Sequence, residues 1–229
     1  MTGFAVSCII PVYNEAARLG AVLTAVAGHP MLAEVIVVDD ASTDGSAALA
    51  AGTAGVTLLR QPVNGGKTRA LAAGIAHAHS PHLLLLDGDL TGLTPAHISA
   101  LIAPVASGQA DISISLRGNA PRLWHWIGID YISGERVLPR ALLDGPPDTL
   151  HAVPKFGFEV HLNALSIRAA ARIRIVPWPE VSSPLKTRKY GVRAGVLAAL
   201  ASIQVALEPS SAWASVSIST APGPAQTDR

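Results

Sequence analysis

Cysteine is nearly absent. Cys8 is the one thiol in 229 residues, so no internal disulfide can form. This usage fits a reducing cytoplasm, and Cys8, set inside an apolar run, reads as inert core. Aromatic residues supply only 4% of the chain against 49% hydrophobic overall, so the core must be built from Ala, Val, Leu and Ile. Charge of one sign is lacking as well: the net charge is +1, which removes any bulk electrostatic case for a nucleic-acid partner. No run of about 20 apolar residues occurs, so no segment is expected to span a membrane alone. The longest candidate, Val196–Leu207, is too short. No Lys or Arg precedes the apolar stretch Phe4–Ile10 and no small-residue cleavage site follows it, so the N-terminus does not read as a signal peptide. Internal repeats are absent.

What is present is an alternation of apolar runs and helical patterns. Phe4–Ile10, Glu34–Val38, Val56–Leu59, His82–Leu86 and Asp111–Ser115 read as strands, several of them near-continuously apolar, as in a parallel sheet covered on both faces. Glu15–Ala27 places Leu19, Val22, Leu23 and Val26 on one helical face, and Gly66–His79 places Leu71 and Ile75 one turn apart. The order predicts an α/β fold, a doubly wound, mostly parallel sheet with helices on both faces. Its length suits a single domain over 1–207, with a regular half to about 115 and a less regular half from 116. In that second half Leu123–Leu143 reads as helical, with breaks at Gly128, Gly134 or Pro139; Glu159–Ala171 reads as a helix and Arg172–Pro177 as a short strand. Residues 208–229, rich in Ser, Ala, Pro and Thr, read as a loose tail.

Ligands in such sheets bind beyond the carboxyl ends of the strands. Three polar segments fall on that edge: Pro11–Glu15, Asp39–Gly45 and Asp87–Asp89. The last is the most informative. Asp87-Gly88-Asp89 follows a buried strand, so two carboxylates two residues apart can point to the same side. Such a pair suits Mg²⁺ or Mn²⁺, hard cations that take oxygen ligands and keep room for substrate phosphates. An isolated turn rich in Asp and Gly would carry no such meaning; the other motifs give it one.

Together these segments resemble family 2 glycosyltransferases with the GT-A fold. Val6-Ser7-Cys8-Ile9-Ile10-Pro11-Val12-Tyr13-Asn14-Glu15 looks like the family's opening. Val35-Ile36-Val37-Val38-Asp39-Asp40-Ala41-Ser42-Thr43-Asp44-Gly45-Ser46 matches its second signature, where Gly is commoner than Ala41. Asn64-Gly65-Gly66-Lys67-Thr68-Arg69-Ala70-Leu71 matches the third, and Leu86-Asp87-Gly88-Asp89 the metal motif. The resemblance is clear over about 5–115 and traceable to about 195. It implies an inverting, metal-dependent transfer from a UDP-, GDP- or ADP-linked sugar. On it, Pro11, Val12, Tyr13 and Glu15 line the nucleotide, with Tyr13 on the base and Glu15 on the ribose. Asp40 meets the base, Lys67 and Arg69 the base or diphosphate, Asp87 the ribose, and Asp89 the metal, directly or through Asp87. Helix capping is the ordinary role of Asp44, and an Asx turn competes with ligand contact for Asp40.

Bond cleavage in the donor builds negative charge on the departing diphosphate, which a Lewis acid neutralises. For the acceptor, many family members carry Glu-Asp at a helix start, the Asp acting as general base. Here Phe158-Glu159 stands in that place, so Glu159 is the expected base, with Glu135 and Asp130 as rivals. The polyprenyl-phosphate branch of the family, to which dolichyl-phosphate mannosyltransferase belongs, transfers to an already ionised phosphate and needs no base. Ser115-Leu116-Arg117-Gly118 and the basic segment before the last helix resemble that branch, which makes Arg117 a phosphate-binding candidate alongside Arg122, Arg136 and Arg140. Lys186, Arg188, Lys189 and Arg193, followed by Ala194–Leu207, suit either a membrane contact through 186–207 or an ordinary C-terminal core helix. The expected partners are therefore a nucleotide sugar and either a lipid phosphate or a small molecule, at a cytoplasmic or peripheral membrane location. A nucleotidyltransferase and a non-catalytic nucleotide-binding module are the readings from other classes. The first lacks its usual Gly-rich basic loop after the opening strand, since Pro11-Val12-Tyr13-Asn14-Glu15 stands there.

Overall fold

The structure, a computed structural model, describes residues 4–119, 134–143, 158–183 and 218–220, the last three and Val160 by backbone alone. In chain order the elements are β1 (Val6–Val12), α1 (Ala16–Val26), β2 (Glu34–Asp39), α2 (Ser46–Ala51), β3 (Val56–Arg60), α3 (Lys67–His77), β4 (His82–Leu85), α4 (Pro95–Ala106), β5 (Ile112–Arg117), β6 (Arg136–Pro139), a 3₁₀ turn (Arg140–Leu143), α5 (Phe158–Arg168), β7 (Ile173–Trp178) and β8 (Ile218–Thr220). The described strands form one sheet in the order β3-β2-β1-β4-β6-β5-β7-β8. Only β6 runs antiparallel, between β4 and β5.

Strand alternation sorts the core into two layers. Val6, Cys8, Ile10 and Val12 of β1 face the side holding α1, α2 and α4, where Leu19, Val22, Leu23 and Val26 of α1 and Ile98, Leu101, Ile102 and Val105 of α4 are buried. Ile9 faces the other side with Ala70, Leu71 and Ile75 of α3 and Phe158 and Leu162 of α5. The doubly wound reading from sequence is thus the observed architecture, and Cys8 is core, its thiol pushed well above its ordinary value by burial.

Winding proceeds from β1 outward through β2 to β3, then returns to place β4 on β1's other side. The loops after β1 and β4 therefore flank the switch point, where such sheets open a crevice. Pro11 helps to open it. Val12 O accepts from Asp40 N–H on the β2 side, and Ile9 O accepts from Leu86 N–H on the β4 side. The missing N–H of Pro11 consequently falls toward β4, and the β1–β4 register ends at Ile9 and Leu85. The Asp87-Gly88-Asp89 loop then closes over the end of β1: a Cβ on Gly88 would stand 3.0 Å from Val12 Cγ2 and 3.3 Å from Pro11 O.

Two expectations change. The helix expected over Leu123–Leu143 is not what residues 136–143 form: Arg136–Pro139 is strand β6 and the 3₁₀ turn follows. Val137 and Leu138 bury on opposite faces of the sheet because β4 and β5 both lack a partner there, and tertiary pairing outweighs helical propensity. Residues 123–133 lie outside the described residues. The tail expected over 208–229 contains an edge strand, Ile218–Thr220, pairing in parallel with β7. The alternation Val216-Ser217-Ile218-Ser219-Thr220 and the open edge of β7 account for it. Finally, α2 and α4 had no sequence reading. The start of α4 was legible in principle, with Thr94 as N-cap, Pro95 at N1 and His97 returning a bond to the cap.

Candidate active site

The second-signature loop is fastened before any ligand arrives. Asp40 is buried, and its two carboxylate oxygens accept the N–H groups of Gly65 at 2.8 Å and Gly66 at 2.7 Å. It thereby holds the third-motif loop to the end of β2. Asp39, fully buried, accepts from Ser42 N–H and stands 3.3 Å from Arg60 Nε. Between the loops Ala41 adopts φ +62°, a left-handed conformation that costs a Cβ-bearing residue about 1–2 kcal/mol. Asn14 is also left-handed; its amide donates to Ser42 Oγ, and its Oδ1 accepts from Thr43 N–H at 2.8 Å. Asp44 is a cap, as read from sequence, but for two helices. One oxygen accepts from Ala16 N–H at the start of α1, the other from Ser46 N–H and Oγ at the start of α2.

The nucleotide candidates gather on this edge. Tyr13 projects into solvent at 45% exposure, available for stacking. Glu15 is buried, with Arg18 Nη1 at 3.3 Å. Pro11 and Val12 form the crevice floor, and Arg69 is exposed on the first turn of α3.

Lys67, also on that first turn, occupies the centre. Its Nζ lies 2.5 Å from Asp87 Oδ1 and 2.9 Å from Glu159 Oε1. Burial pulls the ammonium down, but Asp87 and Glu159 together more than reverse this, and its pKa is held above the ordinary lysine value. Glu159 itself is buried at the start of α5. Lys67, Asp87 and Glu159 line one small pocket with Pro11, Gly134, Arg136 and Phe158. Phe158, where the family more often has an acid, is buried in the α3–α5 layer and serves packing. Gly134 is a position sequence reasoning missed. A Cβ there would come within 2.7 Å of Asp87 Oδ1 and 2.8 Å of Lys67 Nζ, so bare backbone roofs the ion bridge.

The remaining candidates scatter. Arg117 is buried at the end of β5, its Nε 3.6 Å from Glu135 and its Nη1 donating to Ser183 Oγ at 2.6 Å. Glu135 is fully buried and accepts a hydrogen bond from Ser115 Oγ at 2.8 Å. Arg136 is buried and donates to Asn163, and Arg140 donates to Ala78 O. Arg122, Asp130, Lys186, Arg188, Lys189, Arg193 and the 194–207 stretch lie outside the described residues.

A cation would find carboxylate oxygens at Asp87 and Asp89 on one loop. Among the described residues no cluster of three or more His, Cys, Asp or Glu forms a cage. The donor set therefore fits Mg²⁺ or Mn²⁺ bound by one or two carboxylates and completed by substrate phosphates.

A family model described as glycosyl transferase family 2 matches residues 7–141, more than half of the chain. This chain is a family 2 glycosyltransferase. Two relatives are similar to the family 2 domain found here. Dodecaprenyl-phosphate galacturonate synthase of Rhizobium johnstonii is 30% identical over 49% of this chain and 36% of its own length. Undecaprenyl-phosphate 4-deoxy-4-formamido-L-arabinose transferase of Aeromonas hydrophila is 37% identical over 52% of this chain and 39% of its own length. The chain thus matches well under half of each relative. In structure it resembles glucosyl-3-phosphoglycerate synthase from Mycobacterium tuberculosis, solved with Mn²⁺, UDP and glucosyl-3-phosphoglycerate. The TM-score is 0.70 at 22% identity, covering 91% of this chain and 82% of that one. The likeness establishes the shared fold, the GT-A arrangement. The nucleotidyltransferase reading does not survive family membership.

Proposed function

We propose that this glycosyltransferase moves a sugar from a nucleotide sugar to the phosphate of a polyprenyl phosphate, with inversion and with Mg²⁺ or Mn²⁺. The observation that carries the acceptor class is the 2.9 Å ion pair between Lys67 and Glu159. A carboxylate neutralised by an ammonium is a poor proton acceptor. A hydroxyl acceptor must lose its proton as it attacks, whereas a phosphate arrives ionised. The two polyprenyl-phosphate enzymes among the relatives support the lipid form. In this reading Tyr13, Glu15 and Asp40 take the base and ribose, and Asp89 carries most of the metal contact because Lys67 already claims an oxygen of Asp87. The bound metal supplies Lewis-acid stabilisation of the departing diphosphate. Among the described residues no helix is long and apolar enough to cross a membrane. Lipid access through the basic and apolar sequence 186–207, outside the described residues, is part of the proposal.

A second reading keeps the anionic acceptor but makes it a soluble phosphorylated molecule. It is prompted by the structural neighbour solved with phosphoglyceric acid. Glu159→Gln tests the shared premise. Loss of a catalytic base slows transfer about 10²–10⁴-fold; we predict a fall of less than about tenfold with polyprenyl phosphate as acceptor. Donor hydrolysis is measured separately. A folded Glu159→Gln protein dead toward phosphate acceptors would sink the reading and restore a hydroxyl acceptor.

A further inference from the structure

Asp39 closes β2, Asp40 follows it, and both are buried. Neighbouring strand residues point to opposite faces, so the two carboxylates are served separately. Asp40 accepts from the Gly65 and Gly66 amides. Asp39 accepts from Ser42 N–H, 3.3 Å from each of its oxygens, and takes its charge partner from the next strand, with Arg60 Nε 3.3 Å from Oδ2. Arg60 ends β3, the edge strand, directly across from Asp39 in the parallel register. Its Nη2 also donates to Ser42 O at 3.5 Å. The guanidinium therefore spans the turn from outside, touching the residues on either side of Asp40-Ala41. Ala41 is left-handed, a conformation that persists only where its surroundings over-determine it. Ser42 in turn accepts from Asn14 N–H at 2.9 Å, so the hold passes to the loop that carries Tyr13. The Arg60 side chain is 63% exposed, and an ion pair to so exposed a cation carries little stability by itself.

We propose that Arg60 is a positioning residue for nucleotide binding. Acting through Asp39 and, more weakly, Ser42, it fixes the turn that aims Asp40 and the loop after β1 at the base and ribose. The proposal rests on the nucleotide-sugar half of the reading above and is independent of the acceptor. Asp39 is then a relay and no ligand, since it is fully buried and offers a nucleotide no surface. Loss of the arginine leaves that carboxylate buried without its cation, which is strongly unfavourable. The turn relaxes by lifting Asp39 toward water, and Asp40, next in the chain, moves with it.

The test uses Arg60→Met, Asp39→Asn and their combination in the full chain, with Arg60→Lys as the variant that keeps the charge. Calorimetry, at a temperature where circular dichroism shows each variant folded, first finds which of UDP, GDP and ADP the wild-type protein binds with Mn²⁺. The monophosphate of the same nucleoside is titrated beside it. Arg60→Met raises the Kd about tenfold. The factor is the same for monophosphate and diphosphate, because the disturbed contacts are to base and ribose. Arg60→Lys recovers most of the loss, since its ammonium can still stand beside Asp39. In the Asp39→Asn background, removing Arg60 changes the Kd by less than about twofold, because the two residues act as one pair. If Arg60→Met does not fold, Arg60→Gln replaces it in both backgrounds. Its uncharged amide can donate to only part of the turn, and the Kd rises about threefold or more.

An unchanged Kd in the folded Arg60 variant overturns the proposal and leaves Arg60 as a surface ion pair. An equal loss with Asp39 and with Asn at that position overturns it as well, for the arginine then touches the nucleotide itself. So does a diphosphate that loses more affinity than the monophosphate, which marks a phosphate ligand. A wild-type protein that binds none of the three nucleotides overturns the nucleotide-sugar reading, and the proposal falls with it.

Discussion

At the scale of single residues, the crevice contains side chains whose placement costs stability. Ala41 is the plainest: a Cβ-bearing residue at φ +62° between two loops that line the crevice. Glycine adopts that conformation without the steric penalty, while its gain in unfolded-state entropy works the other way. We predict that Ala41→Gly raises stability by about 0.5–1 kcal/mol, read as a higher urea midpoint with unchanged slope. Arg117 is the opposite case. Its guanidinium stands 3.6 Å from the fully buried Glu135, so Arg117→Ala removes a cation from beside a core carboxylate. Breaking a buried pair by removing one partner costs about 3 kcal/mol or more, and denaturant unfolding should show it. Turnover measured without that control would mistake a folding defect for lost phosphate binding.

At the scale of elements, the start of α1 is finished by a distant part of the chain. Helix α1 receives no cap from its own Glu15 side chain; Asp44, far along the sequence, supplies it and caps α2 as well. The side-chain bond from Ser46, with those from the Ala16 and Ser46 amides, lowers the Asp44 pKa. A depressed carboxylate pKa contributes stability above the unfolded value near 3.9. That contribution fades as pH falls through the folded value. Asp44→Asn should therefore cost up to about 1 kcal/mol at pH 7, with the deficit shrinking below about pH 4, as followed by thermal unfolding across pH. On the far side of the crevice the segment after β7 is clamped down. Thr91 and Ser182 exchange backbone bonds, and Gly118 N–H donates to Trp178 O and Val181 O. Gly92, at φ +77°, lies so close that a Cβ would stand 2.2 Å from Glu180 O. This strap fixes the segment after β7 to the loop carrying Asp89.

At the scale of the whole molecule, the binding loops belong to different crossovers of one sheet, so a ligand spanning them should stabilise the whole fold. A nucleoside diphosphate with Mn²⁺ that binds only the native state adds about 2.7 kcal/mol at one hundred times its Kd. We predict a rise in Tm with the matching nucleoside diphosphate plus Mn²⁺, reduced by EDTA and reduced in Asp89→Ala, whose own fold stays intact. Near-normal turnover of Asp89→Ala, indifferent to EDTA, would remove the metal from the mechanism.

The sequence determined the parts of this protein that depend on local patterning. The apolar runs that became β1 to β4, the amphipathic faces of α1 and α3, and the arrival of Pro11–Glu15, Asp39–Gly45 and Asp87–Asp89 on one edge all follow from periodicity and strand order. The family followed from four motifs in sequence. Other features required the folded chain. Strand β6 was invisible because Arg136–Pro139 is as good a helix fragment as a strand until two bare strand edges are offered to it. The contact of Arg117 with Glu135 depended on the residue just before β6, and the role of Asp40 on the Gly65 and Gly66 amides arriving from another crossover. The Lys67 bridge depended most on tertiary structure. Charges attract through space at a few ångströms whatever their separation along the chain, and nothing in the local pattern around Lys67, Asp87 or Glu159 reveals that three elements bring them to one nitrogen.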